Sequence, residues 1–170
     1  MLTPSQDNVL VDANGTARIA GLGSAFIPSQ NHAAWSAMDA ELLFYGTAPE
    51  LVRPRPPKSR AKTTKGSDIY AFAVLAWEVS CLPRRSFTRS LNHIDPQVFA
   101  GQVPFSPMRR LVAIHLLVSG DRPPRPRHPE LSDRVWDVIE KCWHGDPSRR
   151  IPIKAVVAIL EGELLRNASG

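Results

Sequence analysis

Residues 67–78 read Ser67-Asp68-Ile69-Tyr70-Ala71-Phe72-Ala73-Val74-Leu75-Ala76-Trp77-Glu78, the most apolar stretch of the chain to open on a Ser-Asp pair. Its apolar run continues well past the length of a buried strand, and no glycine or proline interrupts it before Ser80, so the backbone is expected to be helical. Ser67 and Asp68 open the helix, which is expected over 69–80. Ile69, Phe72, Ala73, Val74, Leu75, Trp77 and Val79 fall on nearly every face. A surface helix shows a polar side, so this pattern predicts a central helix buried all round.

Further helices are expected toward the C-terminus. One covers 107–119, with Pro107 near its start and Gly120 just beyond its end. The next covers 132–143, where Ser132 can cap the first turn, Asp133 suits the positive helix end and Leu131 can staple onto Trp136. The last spans about 152–166, with Ile153, Val156, Val157, Leu160 and Leu164 at helical spacing. Toward the N-terminus, Val9-Leu10-Val11, a turn containing Asn14-Gly15, and Ala17-Arg18-Ile19-Ala20 predict a small β-hairpin. From 21 to 47 no periodicity persists, and a long loop with a short helix near 36–44 is expected. The fold class is mainly α with a short N-terminal β-hairpin.

A chain of 170 residues, 43% hydrophobic and 22% charged, supports one globular domain with a real core. The net charge is +5 and the pI near 9.7, but the charge is concentrated. Arg53, Arg55, Lys58, Arg60, Lys62 and Lys65 form one acid-free, proline-containing run, which predicts a flexible basic insertion over 53–65. No aromatic residue interleaves with it, so nucleic acid is not the expected partner. Cys81 and Cys142 lie in apolar surroundings without a cysteine or histidine at ligand spacing, so free buried thiols are expected rather than a metal site. His32, His93, His115, His128 and His144 are scattered and pair with no nucleophile. No secretory signal is visible, and the longest apolar stretches fall short of the roughly 20 residues a membrane span needs. The cytoplasm is therefore the expected compartment, with the nucleus as the other one open to the chain.

Four short motifs then stand in a telling order. Asn8-Val9-Leu10-Val11-Asp12 precedes a turn; Ala48-Pro49-Glu50 follows; then come Ser67-Asp68-Ile69-Tyr70-Ala71-Phe72 with Trp77-Glu78; Cys142-Trp143 and Asp146-Pro147-Ser148-Arg149-Arg150 close the series. The order resembles the later half of a eukaryotic protein kinase domain, and the wording is similar to the tyrosine-kinase-like branch. The resemblance covers about residues 4 to 163. It implies the C-terminal lobe of a protein-kinase-like fold, occupying 1–166 as a partial domain with 167–170 as a tail. It also implies that Glu50 and Arg150 form a buried ion pair, that Asp68 accepts from catalytic-loop amides, and that Thr47 matches a substrate-positioning threonine.

The same resemblance implies ATP and magnesium for the family, and here this chain departs from the pattern. In the catalytic loop H-R-D-x-x-x-x-N the base aspartate precedes the metal-binding asparagine by five places. Counting back from Asn8 reaches Thr3, and the loop lysine falls at Ser5. The D-F-G triplet aligns with Gly21-Leu22-Gly23, so Gly21 stands where the metal-chelating aspartate would be. Asn8 is left as a vestigial metal and cofactor ligand, and no cofactor is expected for this chain. Met1 falls at the loop histidine, so the small lobe is expected to be missing. The reading is a degenerate, pseudokinase-like or truncated lobe that cannot transfer phosphate and serves as a protein-interaction module in signalling. It is expected to need a protein partner for missing surface, with oligomeric state open. Two alternatives stand beside it: a truncated gene model of an ATP-dependent serine/threonine or tyrosine kinase, and a nucleic-acid or importin binder acting through the basic run.

Overall fold

A computed structural model describes residues 9–12, 14–20, 46–53, 63–81, 104–129 and 131–168. Among them are a two-stranded antiparallel sheet and five α-helices, so the described fold is mainly helical. Strand β1 (Val9–Val11) pairs with β2 (Ala17–Ile19) in the register Val9 with Ile19 and Val11 with Ala17. The turn between them is organised by Asp12. Its carboxylate accepts from the amides of Asn14 at 3.0 Å and Thr16 at 2.9 Å, and from the Arg18 guanidinium at 2.7 Å. Gly15 supplies the positive φ, 78°, that closes the loop.

Helix α1 (Pro49–Val52) is a single turn with Pro49 in its first positions, and α2 (Lys65–Ser80) is the long helix expected from the apolar run. Its start differs from the sequence reading. Thr64, not Ser67, is the cap: the Thr64 hydroxyl accepts from the Ser67 amide at 3.2 Å, and the Ser67 hydroxyl accepts from the Thr64 amide at 2.9 Å. This reciprocal pair draws Lys65 out of the basic run and into the first turn, so the run's last residue is helical. Arg53 at the other end is the C-cap of α1. Residues 54–62 of the insertion, and the helix expected near 36–44, lie outside the described residues.

Tyr70, Ala73, Val74 and Trp77 of α2 are buried, while Phe72 and Leu75 are half-buried and Val79 is exposed. The all-round burial expected for α2 is thus not met at its last turn. Its covering partner, α4 (Asp133–Cys142), packs along one side of it, and α5 (Ile153–Ala168) packs on α4 in turn. The resulting core joins Tyr70, Trp77, Val138, Ile139, Cys142, Trp143 and Val156. Trp136 meets Trp143 edge to face, with ring centroids 5.6 Å apart.

Helix α3 (Arg110–Ser119) begins later than the 107–119 reading. Phe105 has a φ of 62°, and the Met108 amide donates to the Phe105 carbonyl at 2.9 Å. Pro107 therefore lies in a turn ahead of the helix rather than in its first turn. The far end follows the sequence: Gly120, with φ 107°, donates to Leu117, and the Asp121 amide reaches back to Leu116 at 3.0 Å. After it a proline-rich segment without regular structure is tied to α2, where the Trp77 indole N–H donates to the Pro124 carbonyl at 2.9 Å.

Helix α4 opens as expected, with the Ser132 hydroxyl accepting from the Val135 amide at 3.3 Å. Helix α5 continues to Ala168, past the 166 boundary, as Arg166 pairs with Glu163 at 2.8 Å across the last turns. No helix among the described residues is long and apolar enough to cross a membrane.

Cys81 and Cys142 are free thiols. Burial pushes Cys142 up to about 12 and, with the Glu78 charge as a lesser cause, Cys81 up to about 11. The unfolded thiol titrates at about 9 and the folded one higher, so this stabilisation is complete below about pH 9 and is lost as pH rises toward about 12. Urea unfolding at pH 8 and pH 10.5 is expected to show a fall in stability that Cys142→Ala reduces. Iodoacetamide at pH 8 should leave Cys142 of the folded chain unlabelled.

Candidate functional site

The site begins from Arg150. Its side chain is 1% exposed and would bury an uncompensated charge without partners. The chain supplies them from three directions. Both terminal nitrogens donate to Glu50, each at 2.7 Å, in a bidentate fork across 100 positions of sequence. One of them also donates to the Gly66 carbonyl at 2.8 Å, and Nε donates to the His144 carbonyl at 2.8 Å. Helix α1, the first turn of α2 and the turn at 144–150 therefore meet on one guanidinium.

Local structure presents each group. Asp146 accepts from the Ser148 amide at 2.9 Å and hydroxyl at 2.7 Å, which holds its carboxyl below the usual range and folds Pro147–Arg149 into one 3₁₀ turn. That turn delivers Arg150 inward. On the other side, Ala48 and Pro49 are buried, and Glu50 extends from the turn they start. Thr47 lies half-buried just ahead of them.

Beneath the pair is the Tyr70 ring. The Arg150 guanidinium carbon lies 5.0 Å from its centroid and that of Arg122 lies 5.4 Å away. Arg122 is held by carbonyl oxygens: Nε and Nη2 donate to Trp143 at 3.0 and 2.7 Å, and Nη1 donates to Leu117 and Asp121 at 3.0 and 2.6 Å. Burial pushes the Tyr70 phenol above its usual value, and the two guanidiniums partly oppose that. Burial likewise lowers Arg122. The Tyr70 hydroxyl has no hydrogen-bond partner among the described residues. The sequence reading assigned no role to Tyr70 or Arg122. The available signal was an arginine directly after the α3 C-terminus, where the last helix carbonyls need donors.

The structure thus brings Glu50 and Arg150 together. It places Asp68 half-buried in the first turn of α2, where the positive helix end favours a carboxylate. Thr3, Asn8 and Gly21 lie outside the described residues, as do Ser5 and Leu22. Among the described residues no cluster of His, Cys, Asp or Glu could hold a metal ion. What the described part of the site can do is mechanical. It clamps the segment ending at Glu50 to the base of the helical core.

A helical lobe with a hairpin ahead of it, and a buried Glu–Arg clamp beneath an A-P-E turn, is the architecture of a protein kinase C-lobe. Residues 5–160 match the protein tyrosine and serine/threonine kinase family. The chain belongs to that family. It is 26% identical over 160 residues to tyrosine-protein kinase JAK1 of Danio rerio, an alignment covering 89% of this chain and 12% of that protein. Similarity to serine/threonine-protein kinase STY17 of Arabidopsis thaliana is 26% over 163 residues, covering 94% and 23% respectively. Receptor-interacting serine/threonine-protein kinase 4 of Mus musculus is 28% identical over 162 residues, covering 91% and 17%. The chain spans less than a quarter of the length of these curated relatives.

Removing one partner of the clamp strands the other. Arg150→Ala and Glu50→Gln are each expected to destabilise the fold by about 3–5 kcal/mol. Arg150→Lys, which keeps the charge and loses the fork, should recover only part of that. Urea unfolding followed by circular dichroism measures all three.

Proposed function

We propose that this kinase-family chain does not transfer phosphate and acts as a protein-binding module in cytoplasmic signalling. The observation that carries the reading is a division among its residues. Those that hold the lobe together are in place: Glu50 and Arg150 are paired, Trp77 is anchored to Pro124, and Asp68 stands at the head of α2. Those that would do chemistry are not. Thr3 occupies the register of the base aspartate and Gly21 that of the metal-binding aspartate.

The family implies ATP and magnesium, and the donor set does not fit them. Magnesium takes hard oxygen ligands, mainly carboxylates and phosphates. Asn8 offers one neutral amide and Gly21 offers no side chain. Threonine at position 3 cannot accept a proton from a substrate hydroxyl near neutral pH, since its hydroxyl is not a base. Thr47 retains the register of a substrate-positioning residue with no base to serve.

The competing reading is an active kinase, and the names of the relatives favour it, since each is called a kinase. The two separate by assay. The full-length gene product, given magnesium, ATP and a generic protein substrate, is expected to show no phosphate transfer and no magnesium-dependent thermal shift with ATP. Restoring carboxylates with Thr3→Asp and Gly21→Asp together should create a shift with magnesium and ATP. Turnover by the natural sequence that Asn8→Ala abolishes would establish an active enzyme and end this proposal.

A further inference from the structure

Helix α3 turns one side inward and leaves another open. Ala113, Ile114 and Leu117 are buried. Leu111, His115 and Val112 lie on the opposite side within an arc of about 100°, and all three are exposed. Leu111 is 69% exposed and Val112 47%, and Met108, in the turn leading into the helix, is 50% exposed. None of these three packs on the core that joins α2, α4 and α5. Three large apolar side chains exposed between positions 108 and 112 form a patch rather than scattered surface hydrophobics.

The charge around the patch has one sign. Between Asp95 and Asp121 the sequence holds no acidic residue, and its only charged residues are Arg109 and Arg110. Arg109 is exposed at the N-cap of α3, where no side chain caps the helix and no acid occupies the first turn. Cations at the positive end of a helix are locally unfavourable, so this end of α3 favours carboxylates brought from outside it. Helix α3 also packs against α1, whose C-cap, Arg53, is exposed and opens the basic run. The acid of α1, Glu50, is already taken up by Arg150. Exposed apolar side chains with cations beside them and no acid to answer them call for an acidic, amphipathic occupant.

An anionic lipid surface offers the same pairing of charge and apolar contact. A helix lying in a membrane interface buries a broad apolar face, however, and here Ala113, Ile114 and Leu117 are turned to the protein. What is left is a narrow stripe, the width that a second helix covers by packing into it.

We infer that the outward face of α3, along Met108, Leu111 and Val112, docks an acidic amphipathic helix of a partner protein, with its carboxylates toward Arg109. The inference rests on the reading of the chain as a protein-binding module and names the surface and the partner's chemistry. Docking and phosphate transfer are read by separate assays, so either can fail alone.

A display library of helical peptides, with leucine at i, i+4 and i+7 and randomised elsewhere, is selected on the full-length gene product. The enriched peptides are expected to carry an excess of Asp and Glu and to bind with a dissociation constant of about 10–100 µM. Leu111→Glu should weaken that binding more than about tenfold. The position is exposed, so the variant's circular dichroism melt should match that of the natural sequence. Arg109→Glu should weaken the acidic peptides about three- to tenfold at low salt and favour lysine-substituted versions of them. Peptides without an acidic excess, peptides indifferent to Leu111→Glu, or no enriched peptide at all overturn the inference. So does binding to phosphatidylserine vesicles that Leu111→Glu abolishes, since the stripe would then meet a membrane.

Discussion

The lobe depends on neutralising one guanidinium that has been taken out of water. Arg150 is held by a carboxylate and two carbonyl oxygens, and each comes from a different part of the chain. Burial of an ion pair gains little net stability, because desolvation offsets most of the Coulomb attraction. Its effect lies in the alternative: any arrangement that separates Glu50 from Arg150 leaves a charge in an apolar interior. The clamp therefore works as a positional constraint. It fixes the one-turn helix α1, the head of α2 and the 3₁₀ turn at Pro147–Arg149 relative to one another.

A second cation makes the constraint stricter. Arg122 and Arg150 approach the same tyrosine ring, and like charges in a poorly solvated setting repel. Three features reconcile them. Glu50 cancels one charge, the carbonyls of Leu117, Asp121 and Trp143 solvate the other, and the Tyr70 π face attracts both. Arg122 also satisfies carbonyls at the ends of α3 and α4, so the helix termini are tied to the same cluster. The fold is organised around buried cations as much as around its tryptophans.

How much of this could be read in the sequence follows from how far each feature reaches. Local chemistry was legible: the Ser132 cap, the Gly120 terminus and the Asn14-Gly15 turn each act within a few residues. The start of α2 was misplaced because two side chains compete as caps there, and Thr64 with Ser67 three residues later forms the better reciprocal pair. Pro107 misled for a related reason, since a proline before a helix suits either its first turn or a preceding loop. The Glu50–Arg150 fork spans 100 positions, and no periodicity encodes such a contact. It was accessible only through resemblance to a family. Arg122 lay outside the family motifs quoted and went unassigned, although its place after a helix end gave a physical reason to look. Thr3, Asn8 and Gly21 are the reverse case: their registers are legible, and their geometry lies outside the described residues.

The clamp and the chemistry answer to different physics, and this is why, on the proposed reading, one would persist without the other. Losing a buried partner penalises folding, whereas losing a carboxylate whose charge serves only to meet a ligand costs the fold little. A lobe of this kind can keep a rigid frame while its surfaces take on other work. Helix α5 belongs to that frame: Val156 is buried in the core against α4, and Arg166 pairs with Glu163 across the last turns, so the helix cannot roll about its own axis without withdrawing Val156 from the core.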